Sequence, residues 1–206
     1  MRKKIAITLS VLLALTMLTT ALCGCGRKES PAASAAPAAE PRRADGERFE
    51  TVIMLEGMEE TVGFEHARNE TLGFELDYDY EALARYSEAE RERFISCYET
   101  PENAWNYLEI QRAEGDAERA QAAVSTALAN EFSTVEPQTW TLENAGDCLR
   151  IEASGGRENV SALQTVYIIP AGEGCIVASA HCTYESAEGF GTRFDSIMNT
   201  LSVIAG

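Results

Sequence analysis

Four carboxylates, Asp77, Asp79, Glu81 and Glu88, stand at relative positions 1, 3, 5 and 12, the ligand spacing of a calcium-binding loop. Oxygen ligands so spaced wrap a hard cation only if the chain turns sharply at position 6, where a glycine is needed. Here that residue is Ala82, and position 8 is Ala84 rather than a larger aliphatic. A strand end bearing solvated acids accounts for the same residues, so no metal site is expected. His181-Cys182 is the second place where ligand or nucleophile chemistry could start. The other histidine is His66, no Cys-x-x-Cys or His-x-x-x-His spacing occurs, and adjacent residues of a strand point to opposite faces. Gly-x-Ser-x-Gly and phosphate-cradling glycine loops do not occur either. Acids are plentiful, but no pair is marked out for acid–base work. No catalytic residue and no cofactor is assigned.

Phe94, Tyr98, Trp105 and Tyr107 form an aromatic set around an expected hairpin, read as core packing or a cross-strand ladder ahead of a ligand platform. The elements that hold these residues are legible as alternation and turn signals. Thr51–Leu55 and Glu59–Glu65 read as strands joined through Glu56-Gly57-Met58, and Leu72, Phe74, Leu76 and Tyr78 share one face of a third. Residues 81–91 fit either a short charged helix or a strand. Residues 92–98 and 105–112 flank the turn signal Thr100-Pro101-Glu102-Asn103 and read as a hairpin. Asp116 is a good N-cap, with Glu118 in the first turn and Ala117, Ala120, Val124, Leu128 and Phe132 in one stripe.

Strands are then expected at Pro137–Leu142, Asp147–Ala153, Ala162–Ile169 and Cys175–Tyr184, with Gly155-Gly156-Arg157 and Gly172-Glu173-Gly174 among the turns. Connections this short join antiparallel neighbours. Ser186 is expected to cap a last helix carrying Phe190, Phe194, Ile197 and Leu201, its first turn weakened by Gly189 and Gly191, and Leu201–Ile204 closes the chain.

The N-terminal segment is organised differently. Arg2, Lys3 and Lys4 precede an uncharged apolar run, Ile5–Leu22, which ends in Leu22-Cys23-Gly24-Cys25. This order resembles the lipobox of bacterial lipoproteins, with Leu at −3, a small residue at −2, Gly at −1 and then the cysteine. Cys23 fits less well, because a bulky Leu22 stands before it. The resemblance implies a diacylglyceryl lipid on Cys25, cleavage after Gly24, and the membrane as partner at the extracytoplasmic face of a bacterial cell. Two acyl chains suit stable anchoring, since each buried methylene contributes only ~0.8 kcal/mol. Residues 25–48 then read as a tether: Pro31, Pro37 and Pro41 break any helix, and no large apolar residue is there to bury. Residues 49–206 read as one domain, and residues 1–24 as the signal peptide.

An exported chain can oxidise its thiols, and Cys97, Cys148, Cys175 and Cys182 allow three pairings. Matching strand faces favours Cys97–Cys182 and Cys148–Cys175. A simple meander opposes the second, since an intervening strand separates its ends by about 9.5 Å against a Cα limit of ~7 Å. Buried reduced cysteines are the alternative.

The 206 residues carry a net charge of −16, and removing residues 1–24 would make it more negative by three. Such a surface repels nucleic acid and anionic headgroups, so nucleic acid is not an expected partner. Gly73-Phe74-Glu75-Leu76 with Tyr78, and Phe194-x-x-Ile197 with Leu201-Ser202-Val203, make residues 72–204 resemble a PsbP-like domain, although Asp79 stands where that family tends to have proline. The resemblance implies an α+β fold, an antiparallel β-sheet packed between helices. It also implies a non-enzymatic assembly, docking or carrier role, so the expectation is a lipid-anchored binding module with a protein or small-molecule partner. An exported carboxylate-dependent hydrolase and a structural envelope component are the alternatives.

Overall fold

Period-two alternation decides most of the architecture, and a computed structural model of the chain describes residues 42–55, 57–156 and 162–204. Arg48–Leu55 (β1) and Met58–Asn69 (β2) pair antiparallel with Leu55 opposite Met58, and Gly57 supplies the positive φ of 80° that the tight turn needs. Phe74–Asp79 (β3) pairs with the second half of β2. Residues 81–91 resolve as strand and turn rather than helix: Leu83–Ser87 (β4) pairs with Arg91–Ser96 (β5), and Glu88 and Arg91 form an ion pair across the turn. β5 in turn pairs with Tyr107–Glu114 (β6), the expected hairpin, but it stops at Ser96 and leaves Cys97 and Tyr98 in the turn.

The helix Ala117–Glu131 (α1) begins as expected, with the Asp116 carboxylate accepting the Arg119 backbone N–H at 2.8 Å. Its C-terminus differs from expectation. Phe132 belongs to Phe132–Leu142 (β7), so helix passes into strand with no loop between them. Pro137 is tolerated because β7 is the edge of its sheet and needs no N–H there. Gly146–Gly156 (β8), Ala162–Ala171 (β9) and Gly174–Thr183 (β10) follow. Ser186 does not cap the last helix. Its hydroxyl bonds Asn106 and Thr183, a 3₁₀ turn and a wide π turn carry residues 184–191, and the helix Thr192–Thr200 (α2) starts only after Gly191. Two glycines in the first expected turn are a sufficient reason for the late start. Ser202–Val203 (β11) ends the described chain beside β3.

These strands form two antiparallel sheets, β1-β2-β3-β11 and β4-β5-β6-β10-β9-β8-β7, packed with two helices; the fold is α+β. The larger sheet separates two cores by side-chain parity. On one face Phe94, Leu108, Ile110, Tyr167, Ile169, Ile176 and Ala178 meet Leu72, Phe74, Leu76 and Tyr78 of the smaller sheet and Phe194, Ile197 and Met198 of α2. On the other face Ile151, Val166, Ile168, Cys175 and Val177 lie under Ala120 and Leu128 of α1. Each large apolar side chain so enclosed contributes about 1.5–3 kcal/mol.

The fold also begins earlier than Phe49. Residues 42–47 lie along β2, with Gly46 N–H donating to the His66 carbonyl at 2.8 Å and His66 N–H to that of Glu47 at 2.9 Å. Asp45 accepts the Arg68 N–H and pairs with Arg85, each at 2.7 Å, while Arg43 reaches Asp77 and its guanidinium covers the Phe49 ring at 3.9 Å. Burial works against an ionised Asp45, yet these donors outweigh it and hold its carboxyl below the usual range. Behind this arm, the fully buried Glu92 is satisfied by Arg85, Ser87 and Asn69.

Candidate functional site

Cys25 and the rest of Leu22–Cys25 lie outside the described residues. The four calcium-spaced acids lie within them and do not converge. Asp77 accepts from His66 Nδ1 at 2.7 Å. Asp79, buried, turns the chain: its Oδ1 accepts the N–H groups of Glu81 and Ala82 at 3.0 and 3.1 Å, and its Oδ2 takes Arg193 Nε of α2 at 3.0 Å. The aspartate thus gives the turn its geometry and ties it to the last helix. Glu81 is exposed, and Glu88 is held by Arg91 in the next turn. No group of three or more His, Cys, Asp or Glu among the described residues has the geometry to hold a metal.

His66 carried no sequence signal beyond its rarity. It is 7% exposed, its Nδ1–H is satisfied by Asp77, and its Nε2 is buried without a hydrogen-bond partner among the described residues. Only the β2–β3 register, which sets His66 opposite Asp77, could have shown the pair.

His181 and Cys182 point to opposite faces as strand geometry demands: Cys182 joins the core, while His181 stacks on Tyr107 on the outer face. The favoured disulfides are corrected. All four cysteines are free thiols, with Cys148, Cys175 and Cys182 buried and Cys97 exposed in its turn. β6 stands between β5 and β10, and β9 between β8 and β10, so each pairing spans two strand spacings, about 9.5 Å or more, past the ~7 Å Cα limit. Cys148 and Cys175 also belong to different cores. Burial pushes the Cys148 and Cys182 thiols up to about 11, which suppresses the thiolate that disulfide exchange requires.

The aromatic set divides. Phe94 is core, 4.8 Å from the Tyr78 ring. Tyr107 and Trp105 lie outside with His181, at ring separations of 5.2 and 5.9 Å, and Arg93 lies over Tyr107 at 5.0 Å. His181 Nδ1–H donates to the Trp105 carbonyl at 2.6 Å. Tyr98 is 90% exposed. The Tyr107 and His181 rings are nearly parallel, 9° apart, so each covers one face of the other.

The concave feature lies elsewhere, on the α1 side of the larger sheet. A cavity of about 560 Å³ opens between the first turn of α1 and strands β7 to β9. Ala117, Leu149 and Pro170 give it an apolar floor, Thr139 and Thr141 stand on the same face of β7, Trp140 and Cys148 border it from strand positions of the opposite parity, and the carboxylates of Glu118 and Asp147 stand at it. The volume is in the range that encloses a small organic ligand. Sequence reasoning missed it, because α1 covers β8 to β10 but leaves the end of β7 uncovered, and helix tilt is not written in residue periodicity. A second cleft of about 340 Å³, lined by Asp77, Ser196, Asn199 and Thr200, runs between β1 and α2. Two of its hydroxyls are already committed: Thr200 accepts the Asp77 N–H at 2.8 Å, and Ser196 donates to Thr192 at 3.0 Å. No helix among the described residues is long and apolar enough to cross a membrane.

No family model and no curated protein sequence matches the chain. Among solved structures, it is similar to cyanobacterial PsbP (CyanoP) from Synechocystis sp. PCC 6803, with 12% identity, 68% of this chain and 92% of that one covered, and a TM-score of 0.49. It is also similar to a protein of Bacteroides thetaiotaomicron, at 14% identity over 64% of this chain and 45% of that one, TM-score 0.39. LpqN, involved in cell envelope biogenesis of Mycobacterium tuberculosis, is 9% identical over 78% of this chain and 86% of its own, TM-score 0.36.

Proposed function

We propose that this chain is an extracytoplasmic lipoprotein, held at a bacterial membrane by a diacylglyceryl group on Cys25, whose domain is a non-enzymatic binding module of PsbP-like type. The observation that carries the binding reading is the cavity between α1 and β7–β9, whose volume and mixed lining suit a small organic ligand. The half-buried and buried carboxylates nearest to chemistry are committed to structure: Asp77 to His66, Asp79 to the β3–β4 turn and Arg193, Glu92 to Arg85. Leu22-Cys23-Gly24-Cys25 and the proline-rich segment after it support the address. The charge of −16 favours a partner that is neutral or cationic.

Expression of the full chain in a lipoprotein-processing host tests the address. Mass spectrometry of the N-terminal peptide should find a thioether-linked diacylglyceryl group on Cys25, and Cys25→Ser should accumulate as uncleaved precursor. Membrane retention of a cleaved Cys25→Ser protein would overturn the anchor.

A further inference from the structure

Which ligand the cavity takes is constrained by its charge. Glu118 and Asp147 line it, and among the described residues no arginine, lysine or histidine does. Asp147 lies on β8 with its Oδ1 accepting the Thr141 hydroxyl at 2.8 Å, which leaves Oδ2 to a ligand. Glu118 sits in the first turn of α1, where the helix dipole favours its negative charge. Arg119, beside Glu118 on α1, is not among the lining residues, and the next cation along β8, Arg150, is on the opposite face of the sheet. There its guanidinium stacks 4.5 Å from the Trp140 ring centre and pairs with Glu152 at 2.6 Å and Asp195 at 3.8 Å. Its charge is neutralised locally and is not turned toward the cavity. Between the two acids the floor is Ala117, Leu149 and Pro170, which can bury a hydrocarbon or ring but offers it no polar group.

Resting on the binding-module reading, we propose that the cavity binds a small organic cation, an amine borne on an aryl or alkyl body. The body fills the apolar floor, and the ammonium group takes both carboxylates. A neutral analogue loses the charge-assisted hydrogen bonds, and an anion meets two like charges without a donor side chain to offset them. Two exposed carboxylate contacts together amount to roughly a ten-fold preference in affinity.

The test uses the full-length chain in nanodiscs of neutral lipid and three probes of one shape: 2-phenylethylamine, 2-phenylethanol and phenylacetate. Saturation-transfer NMR titrations should rank the amine about ten-fold tighter than the alcohol, with phenylacetate weakest. Glu118→Gln with Asp147→Asn should erase that ranking while the alcohol still binds. Thr139→Trp, which fills the cavity from the exposed edge strand, should abolish binding of all three. Equal binding of the three probes, unchanged by the double variant but lost in Thr139→Trp, would overturn the cation inference and leave the binding module standing. Binding of no probe, or binding indifferent to Thr139→Trp, would overturn both.

Discussion

The two halves of the seven-stranded sheet solve the same problem differently. Strands β8 to β10 are covered on both faces, by α1 on one side and by α2 on the other, and their side chains are apolar in both parities: Tyr167, Ile168 and Ile169 are all nearly fully buried, as are Cys175, Ile176 and Val177. Strands β4 to β6 are covered on their inner face. Their outer face carries Arg91, Arg93, Tyr107, Glu109 and Gln111, laced by Arg91–Glu109 and Arg93–Glu109 at 3.5 and 3.4 Å. A strand reads as continuous or alternating according to how many layers lie on it, and one sheet can hold both patterns. The cavity falls at the far margin of the covered half, where the helix ends before the sheet does.

If this contrast is right, the less covered half should fail only from its inner face. Arg85→Met would leave the fully buried Glu92 carboxylate without its guanidinium, and urea unfolding should show a loss of about 3–5 kcal/mol. A loss under about 1 kcal/mol would mean that water reaches Glu92. In the covered half, Ile168→Ala deletes methylenes beneath α1 and should cost about 2–5 kcal/mol. Arg91→Ala on the uncovered face should stay within about 0.5 kcal/mol. Similar costs for Ile168→Ala and Arg91→Ala would erase the distinction.

A finer measurement uses pH. Asp45 and Glu65 are held below the usual carboxyl range. Burial opposes this for both, but the Arg68 N–H and Arg85 outweigh it at Asp45, and the Tyr78 hydroxyl and Arg48 at Glu65. Their contribution is present above the ordinary carboxyl value and is lost as pH falls through the lowered one. Cys148 and Cys182 are raised from 9.0 to about 11 by burial, so their contribution is present below the ordinary thiol value and is lost as pH climbs toward the raised one. Amide exchange should therefore quicken first at the 42–47 arm and β4 in acid, and first at β8 and β10 in alkali. The same order of opening at both extremes would contradict the assignment.

Much of this contrast was legible in the sequence. The alternation of Leu72, Phe74, Leu76 and Tyr78 placed β3, Asp116 placed the start of α1, and the period-two runs after residue 137 placed the last four strands of the larger sheet. What escaped depends on partners distant in sequence. Glu92 gave no sign of burial, because Arg85, Ser87 and Asn69 meet it only when β4 and β5 pair beside β2. Asp45 looked like tether because its neighbours are Ala44 and Gly46, while Arg68 and Arg85 hold it from afar. The face-matched cysteines failed for a related reason: parity says which face a thiol takes, and strand order, which parity does not encode, decides who stands between.

The junction at Glu131–Phe132, where α1 passes into β7 without a loop, has a consequence for how sequences of this kind can vary in length. Inserting one residue in the helix rotates every later helical side chain by about 100°. Inserting one in the strand exchanges its two faces outright. With no loop to absorb the difference, either change would be passed on to the other element, moving Leu128 off its core or turning Phe132 out of it. Across evolution, insertions and deletions should therefore be selected against between about residues 117 and 142 and gather elsewhere, so that this span forms a block of fixed length beside the cavity.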